Sequence, residues 1–441
     1  MASEQVVLLF EFAGLAMAAA GLIIWQQKHS IKDPGWAPIR HHSNSLHDQL
    51  DKLYLIVYLL VATGDALQVT SLQALYSSYG YGAEEIRTFS IVTLVAAAIP
   101  GLALASYADT YGRRKGMQIF GILYLVATTL ATDASMSSLV ASRVFAGLSG
   151  ALLGSVFESW LVRQHRQSGF HIDLLSLSFS ACTTWAGLTL VLAQLVGFYA
   201  GDLFGRVGPV YISGLVIGTG LIVISACCPE NYGDKNAGWQ LPTAFKEIVS
   251  DRRLRALAVS QTLIESAIVL VALTWPTSLG LQPMTRTCVA NYFIFCTVIG
   301  SVAFAHIADG RIAMGKVAPY ISVVGAAALA IAAYFSHSWI RVGALFVFQS
   351  CVGLYWPSQA TLRCSFVPEA RRTTILALLK CPVALVQIAA LLYMERFDNV
   401  TMFWLSSALL ALASLCQQFS LSPTDTKPDV IISVDDEMAT A

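Results

Sequence analysis

Two ionisable side chains, Asp65 and Lys380, each lie near the middle of a run of apolar residues long enough to cross a bilayer. A charge at the centre of a membrane costs at least about 2.5 to 3.5 kcal/mol, so such groups are usually retained where they face a polar cavity. A carboxylate can take up and release a proton there, and an ammonium group can attract an anion. The two residues therefore predict a membrane transporter.

Two acids in predicted helices each share a helical face with a glutamine. Gln68 follows Asp65 by three residues, and Glu265 follows Gln261 by four. A carboxylate in the cavity repels an oxyanion unless it is protonated or neutralised. A proton bound to Asp65 or Glu265 would therefore raise the affinity for an anion near Lys380. These acids are candidates for proton coupling, and a permanent ion pair between helices is the alternative interpretation.

Three roles are open for Lys380. It lies seven residues into its span, which is about 10 Å below the inner end of the helix. Direct contact with an anion, an ion pair with Asp65 or Glu265, and snorkelling of the long side chain to the surface all fit this depth. Pro382, two residues later, predicts a locally irregular helix beside a cavity, where backbone donors face the substrate.

Arg143 and two tryptophans complete the predicted substrate site, together with Gln68 and Lys380. Arg143 opens the fourth core span near the outer side, where it is either a second cation for an anion or a group that holds neighbouring helices together. Aromatic residues in membrane helices usually pack or anchor at the interface. Trp275 and Trp356 are the two that we expect at the substrate.

The composition identifies an integral membrane protein. Of 441 residues, 56% are hydrophobic and only 12% are charged, and the mean hydropathy is +0.63, whereas soluble domains carry about 25% charged residues. The 27 basic and 27 acidic side chains cancel, which argues against nucleic acid as a partner. The nine cysteines have no metal-binding spacing, and no nucleotide-binding or hydrolase motif occurs, so neither an enzyme nor a cofactor is predicted.

Apolar segments of about 20 residues predict thirteen transmembrane helices, one isolated at the amino end and twelve core spans. The isolated span, at about residues 5–25, is followed but not preceded by basic residues. This flank pattern favours an anchor with its amino end outside over a cleaved signal peptide. The core spans are predicted at about 53–76, 86–106, 115–131, 137–161, 176–199, 207–227, 254–277, 287–306, 317–334, 340–361, 373–393 and 400–419.

The basic residues predict the orientation and the domain organisation. Twenty lie in the predicted inner segments and five in the outer ones, which places segment 31–52 in the cytosol. The longest loop between core spans divides them six and six and predicts two pseudo-repeated bundles; its part from Phe245 to Leu254 is predicted as an amphipathic helix on anionic lipid. The predicted domains are an extra amino-terminal transmembrane helix (1–30), a cytosolic loop (31–52), a first six-helix bundle (53–228), a cytosolic linker (229–253), a second six-helix bundle (254–420) and a disordered tail (421–441).

The turn between the second and third core spans, residues 105–115, has the sequence ASYADTYGRRK and resembles the signature of the major facilitator superfamily. In this tight turn the aspartate can cap a helix end and the glycine lets the chain reverse. The first glycine of the signature is Ala105 here, and the basic residue usual after the aspartate is Thr110. A weaker copy, ADGR at 308–311, occurs at the corresponding turn of the second half. The resemblance implies an all-α fold of two six-helix bundles, to which the isolated first helix is added.

Further stretches resemble one branch of that superfamily, the molybdate-anion transporter family. They are DALQ at 65–68, FESWL at 157–161, ENYGD at 230–234, QTLIE at 261–265 with Trp275, and GLYWPS at 353–358 leading to Arg363 and Pro368-Glu369. The isolated first span is also typical of that branch, and the matches run from about residue 54 to 382. The resemblance implies transport of molybdate.

The departures from that branch fall where a substrate is expected. The branch tends to have Trp after its aspartate and a Pro-Tyr pair after its glutamine, where this chain has Ala66, Thr70 and Ser71. In the eleventh core span an Asn and an Arg of the branch correspond to Ala377 and Lys380. A lysine is a point charge, whereas an arginine binds an oxyanion at two points. Another anion or a neutral solute is therefore the alternative substrate.

Four residues near the inner face are predicted to form a gate: Asp109, Gly112, Arg113 and Glu158. The complete prediction is a secondary transporter in the plasma membrane that moves a small inorganic oxyanion, foremost molybdate, into the cytosol by alternating access. Protons are the expected coupling ion, and membrane lipid is the other expected partner. The alternative from another class is a non-transporting receptor or scaffold that kept the fold.

Overall fold

A computed structural model describes residues 40–170, 173–235, 240–309 and 314–420, and before residue 40 only Gly14 and Gly21. All regular elements in these ranges are helices. Several predicted features lie wholly or partly outside the described residues: the first span at 5–25 apart from its two glycines, the cytosolic loop before residue 40, linker residues 236–239, the turn at Gly310 and Arg311, and the tail 421–441.

Fifteen α-helices follow one another in the described ranges. They are α1 (Arg40–Ser78), α2 (Ala83–Ala98), α3 (Pro100–Tyr111), α4 (Arg113–Leu130), α5 (Met136–Leu153), α6 (Val156–Gln167), α7 (Asp173–Phe204), α8 (Gly208–Cys227), α9 (Leu241–Ser250), α10 (Arg252–Ser278), α11 (Pro283–Asp309), α12 (Met314–Tyr334), α13 (Ser338–Phe366), α14 (Arg372–Tyr393) and α15 (Asn399–Ser420). Single 3-10 turns occur at Glu369–Arg371 and Met394–Arg396.

Eleven helical segments of the described chain are long and apolar enough to cross a membrane. They correspond to eleven of the twelve predicted core spans. The remaining one, predicted at 115–131, is α4, which has the right length but opens with Arg113, Arg114 and Lys115. Because those three charges occupy one end of an 18-residue helix, α4 lacks an apolar stretch as long as those of the other eleven.

Two of the spans are broken in the middle. The second is divided between α2 and α3 at Ile99, since Pro100 has no backbone N–H to continue the helix. The fourth is divided between α5 and α6 at Gly154 and Ser155. The expectation of an irregular helix at Pro382 is wrong, because α14 runs through that residue without a break.

Two helices in the segments flanking the bundles differ from their predicted bounds. Helix α1 begins at Arg40, whereas the first core span was predicted to begin at residue 53. The amphipathic helix predicted from Phe245 to Leu254 runs instead over Leu241–Ser250. It ends there because the Asp251 carboxylate accepts hydrogen bonds from the N–H groups of Arg253 and Leu254, at 2.7 and 3.2 Å, and so caps the start of α10.

Two large hydrophobic cores hold the helices. One is built around Phe120, Phe157 and Trp160 between α1, α4 and α6. The other includes Phe348 and Phe403, with α13 and α15 packed on α12. Ile268 and Trp356, which pack against the second core, also line a cavity beside the broken helices.

Candidate functional site

A cavity of about 340 Å³ lies between the first six core spans, called the early spans below, and the last six, called the late spans. Its early side is formed beside the two helix breaks, by α2 and α5. Its late side is formed by α10, α13 and α14. The lining residues are Leu94, Ala97, Ala98, Gly150, Ala151 and Gly154 on the early side, and Glu265, Ile268, Val269, Trp356, Ala377, Lys380, Cys381, Val383, Ala384 and Gln387 on the late side.

Lys380 forms an ion pair with Glu265 in the wall of this cavity. Its ammonium Nζ lies 2.9 Å from Oε1 and 2.8 Å from Oε2 of the carboxylate. The glutamate side chain is 7% exposed and the lysine side chain 40%, so the acid is enclosed while the base is accessible from the cavity. Of the three roles open for Lys380, the structure therefore contains the ion pair, and its partner is Glu265 and not Asp65.

Three neutral side chains fix the orientation of the Glu265 carboxylate. Gln261 Nε2 and the Tyr355 hydroxyl donate to Oε1, at 3.0 and 3.3 Å. Gln359 Nε2 in turn donates to Gln261 Oε1 at 3.3 Å. Because these donors come from α10 and α13, the carboxylate keeps hydrogen-bond partners even when Lys380 on α14 moves away.

Neither Tyr355 nor Gln359 was predicted from the sequence as a member of this site. The spacing of Tyr355 and Gln359 could have indicated that both face the same neighbour, because residues four apart share a helical face. Tyr355 and Gln359 on α13 stand opposite Gln261 and Glu265 on α10, which have the same spacing.

Asp65 lies apart from the cavity, in a second polar cluster among α1, α4 and α5. Arg143 is close enough for its charge to act on Asp65. The arginine is only 6% exposed and donates from Nη2 to Ser142 Oγ at 3.0 Å. Its guanidinium carbon lies 5.8 Å from the centre of the Tyr76 ring, within the range of a cation–π contact. Arg143 therefore joins neighbouring helices in this state of the protein.

The remaining predicted substrate residues are divided between the cavity and the cores. Trp356 lines the cavity, with its ring centre 5.5 Å from Lys380 Nζ. Trp275 is absent from the lining and packs edge-on against Phe293 at 4.9 Å. Gln68 is buried and donates from Nε2 to Thr128 Oγ1 at 3.2 Å. Of the predicted substrate-binding residues, the structure therefore brings together Lys380 and Trp356.

The predicted gate residues Asp109 and Arg113 form a buried network with the late spans. Arg113 donates from Nη2 to Asp109 Oδ1 at 3.0 Å and from Nη1 to Glu369 Oε1 at 2.5 Å. Asp109 also accepts from the N–H and the hydroxyl of Thr374, at 2.8 and 2.9 Å. Both Asp109 and Arg113 are fully buried. The network ties α3 and α4 to the start of α14.

Glu158 lies at the same end but does not pair with Arg113, with which it was grouped in the prediction. Its oxygens accept from Arg363 Nε at 2.9 Å and Nη2 at 2.6 Å, whereas Arg113 bonds to Asp109 and Glu369. The predicted gate residues thus belong to two separate ion-pair groups. Arg363 and Glu369 were noted in the sequence only as parts of a family pattern, because their partners are distant along the chain.

Gly112 and the linker complete this closed end. Gly112 has φ +126°, a conformation that glycine adopts without strain, and the Glu230 carboxylate packs where a side chain at 112 would stand. The linker then crosses the gate. Gly233 N–H donates to Asp109 O at 2.8 Å, and Asp234 N–H donates to Ala370 O at 2.9 Å.

The opposite end is joined much less firmly. One exposed ion pair, Arg87 Nη1 to Glu395 Oε1 at 3.2 Å, links α2 to the turn after α14. Ion pairs between exposed groups contribute little stability. The described chain is therefore closed at the end that the basic residues assign to the cytosol. No group of three or more potential metal ligands occurs among the described residues.

Comparison with known proteins places these features among membrane transporters. Residues 7–351 match the profile of a family described as sugar transporters with twelve transmembrane spans. The molybdate-anion transporter of Xenopus tropicalis is 24% identical over 377 residues, which cover 81% of this chain and 83% of that protein. The molybdate-anion transporter of Danio rerio is 25% identical over 394 residues, covering 79% and 80%.

Solved structures share the fold at low sequence identity. A bacterial homologue of the iron transporter ferroportin, in an outward-facing state, superposes with a TM-score of 0.70 at 15% identity, covering 83% of this chain and 98% of that one. The human organic anion transporter MFSD10 gives a TM-score of 0.67 at 13% identity, with coverage of 84% and 99%. The Escherichia coli fucose:proton symporter FucP gives 0.66 at 12%, with coverage of 84% and 98%.

Proposed function

The chain belongs to the transporter family described as sugar transporters with twelve transmembrane spans, and from this premise we propose that it carries a small oxyanion, foremost molybdate, into the cytosol in symport with protons. It is a multi-pass integral membrane protein with the predicted major facilitator-type fold. Uptake into the cytosol would place it in the plasma membrane. The names of its relatives support molybdate as the first substrate to test.

The observation that carries the proposal is the ion pair between Lys380 and Glu265 in the cavity wall. Lys380 is the only described lining residue with a full positive charge, so it is the natural partner for an anion. The carboxylate of Glu265 already occupies that partner position. An anion and the ionised Glu265 therefore compete for the same ammonium group.

Protonation of Glu265 resolves this competition. A neutral carboxyl group no longer holds Lys380, which can then bind the anion. Because the two equilibria share Lys380, a bound anion must favour the protonated glutamate by the same factor by which the proton favours the anion. Loss of the proton to the cytosol restores the ion pair and expels the anion. This exchange is the proposed coupling step.

Alternating access would require the closed end to open. The two ion-pair groups around Arg113 and Arg363 join the early spans to the late ones, so both must separate in the inward-open state. The energy for this step would come from the contacts formed at the opposite end. Asp109, Gly112, Arg113 and Glu158 are proposed as gate residues on these grounds.

A neutral sugar is a weaker candidate for this cavity. Among the described lining residues, only Glu265, Lys380 and Gln387 have strongly hydrogen-bonding side chains, alongside the Trp356 indole and the Cys381 thiol. A sugar has hydroxyl groups on nearly every carbon, and each hydroxyl that is desolvated without a partner costs about 1–3 kcal/mol. An oxyanion concentrates its hydrogen-bonding groups at one place and so fits the lining better.

Reconstitution tests the proposal. The full chain is purified, placed in lipid vesicles and supplied with labelled molybdate, with the exterior either acidic or equal in pH to the interior. Uptake that is stimulated by the acidic exterior and inhibited by tungstate is the expected result. Binding of molybdate without flux under either a pH gradient or an exchange gradient would support the receptor interpretation and overturn transport.

A further inference from the structure

The two walls of the cavity differ in chemical character. The early wall presents Leu94, Ala97, Ala98, Gly150, Ala151 and Gly154, which are apolar or lack a side chain. The late wall presents the Lys380–Glu265 pair and the Trp356 ring. A ligand that fills the space therefore meets charge on one side only and apolar surface on the other.

The cavity is also large for an inorganic oxyanion. A water molecule occupies about 30 Å³ of liquid, and a tetrahedral oxyanion consists of one central atom and four oxygens, so it fills only a small part of 340 Å³. Pockets for organic ligands have volumes of about 300–1,000 Å³ and mainly apolar linings with a few polar groups. The volume and the lining both match that class.

The charges of the lining favour a single negative charge on the ligand. Lys380 and Glu265 are the only ammonium and carboxylate groups among the described lining residues. Once Glu265 is protonated, one positive charge remains, and a monovalent anion neutralises it completely. A divalent anion leaves one negative charge in a largely apolar cavity, and an uncompensated buried charge is strongly unfavourable. A divalent oxyanion, molybdate included, would therefore need a second proton for the same neutrality, whereas a monovalent anion needs only the one on Glu265.

We infer that the cavity takes monovalent organic anions with an apolar body. The anionic head replaces Glu265 on Lys380, the body lies along Trp356, and its apolar end fills the recess at Gly150. This inference rests on the proposed transport function and extends its substrate class. A side chain added at Gly150 meets no atom within 4 Å, so the recess there is unoccupied space that a ligand can fill.

A series of sulfonates tests this inference on the unaltered full chain. Sulfate, methanesulfonate, butanesulfonate and benzenesulfonate share a tetrahedral head, and the sulfonates are permanently monovalent and do not leak through lipid as neutral acids. Each is used to compete with labelled benzenesulfonate for binding at acidic pH, and labelled benzenesulfonate uptake is measured in vesicles. Methanesulfonate is expected to bind about tenfold or more tightly than sulfate, and affinity is expected to rise about fourfold for each added methylene group.

The variant Gly150→Leu tests the position of the recess. It should weaken benzenesulfonate at least about tenfold more than it weakens molybdate, because only the larger ligand reaches the recess. Gly218→Leu is the matched control, since a side chain added there also meets no atom within 4 Å and Gly218 is absent from the lining. Equal affinities across the sulfonate series, or an equal loss of both ligands in Gly150→Leu, would overturn the inference.

The two substrates separate this inference from the proposed function. Molybdate uptake without binding of any sulfonate would overturn the inference and leave the proposed function standing. Benzenesulfonate uptake without molybdate uptake would confirm the inference and overturn molybdate as substrate. Vesicles that move neither anion, under either a pH gradient or an exchange gradient, would overturn both.

Discussion

Arg363 donates two hydrogen bonds to the Glu158 carboxylate, from Nε to Oε1 at 2.9 Å and from Nη2 to Oε2 at 2.6 Å. The two residues are 205 positions apart and belong to α13 and α6. Both side chains are at least 85% shielded from solvent. A paired geometry with this degree of burial makes the contact a main connection between the early and the late spans at the closed end.

Replacement of Glu158 by Gln should therefore weaken the closed end. Removing one partner of a buried ion pair costs about 3–5 kcal/mol, because the other charge is left uncompensated. We expect the maximal uptake rate to fall about tenfold or more while the apparent KM for molybdate changes less, since Glu158 lies outside the cavity. Initial rates over a range of molybdate concentrations measure both quantities.

The control for that variant is Glu395→Gln at the opposite end. Glu395 pairs with Arg87 but its side chain is 80% exposed, and exposed pairs contribute at most about 1 kcal/mol. Its uptake rate and melting temperature should remain close to those of the unaltered chain. Equal losses in the two variants would contradict the assignment of the main gate to Glu158 and Arg363.

Replacement of Glu265 by Gln should remove the dependence of uptake on pH. The amide oxygen still accepts from Tyr355, but no negative charge competes for Lys380. Hydrogen bonds to charged groups contribute about 1.5–3 kcal/mol, so anion affinity at neutral pH should rise about tenfold or more. Binding and exchange measured from pH 5 to 8 test this expectation.

Asp65→Asn is the comparison for the Glu265 variant. Asp65 is absent from the cavity lining, so its replacement should leave the pH dependence of anion binding in place. If the pH dependence disappears in Asp65→Asn and persists in Glu265→Gln, the proposed coupling residue is wrong and the second polar cluster takes that role.

Replacement of Lys380 by Met should abolish high-affinity anion binding. The change also leaves the Glu265 carboxylate buried without a cation, which should lower stability by about 3–5 kcal/mol. The double variant with Glu265→Gln should recover most of that stability without recovering uptake. Melting temperature and molybdate uptake of the two single variants and the double variant separate the structural role of Lys380 from its substrate role. Full uptake at low molybdate in Lys380→Met would remove it from the proposed site.

Replacement of Gly112 by Ala should destabilise the closed end. At φ +126° a side chain strains the backbone, at a cost of about 1–3 kcal/mol, and it would also displace Glu230. Gly218→Ala is the matched control, because its position in α8 is helical and a side chain added there meets open space. The control should melt at the same temperature or higher. An unchanged melting temperature in Gly112→Ala would contradict this role of the turn.

The sequence predicted the helices and the family more completely than the contacts. Apolar length alone located the core spans, and the spacing of Asp109 and Arg113 on either side of a glycine located a turn whose ion pair is local. The partner of Lys380 was left open between two acids, because the local sequence does not indicate which distant helix packs opposite α14. The same reason explains why Arg363 was not matched to Glu158. The breaks at Ile99 and Gly154 were missed and one was misplaced at Pro382, since tertiary packing decides whether a membrane helix tolerates proline or glycine.

The order of the helices along the chain has a consequence for biogenesis. Glu265 and Lys380 are 115 residues apart, and ribosomes add about 5–20 residues per second. The acid in α10 is therefore made about six to twenty-three seconds before the base that neutralises it. During that interval no lysine from α14 is available to the Glu265 carboxylate, so α10 must enter the bilayer with the Gln261 contact alone or wait beside the insertion machinery until α14 is made.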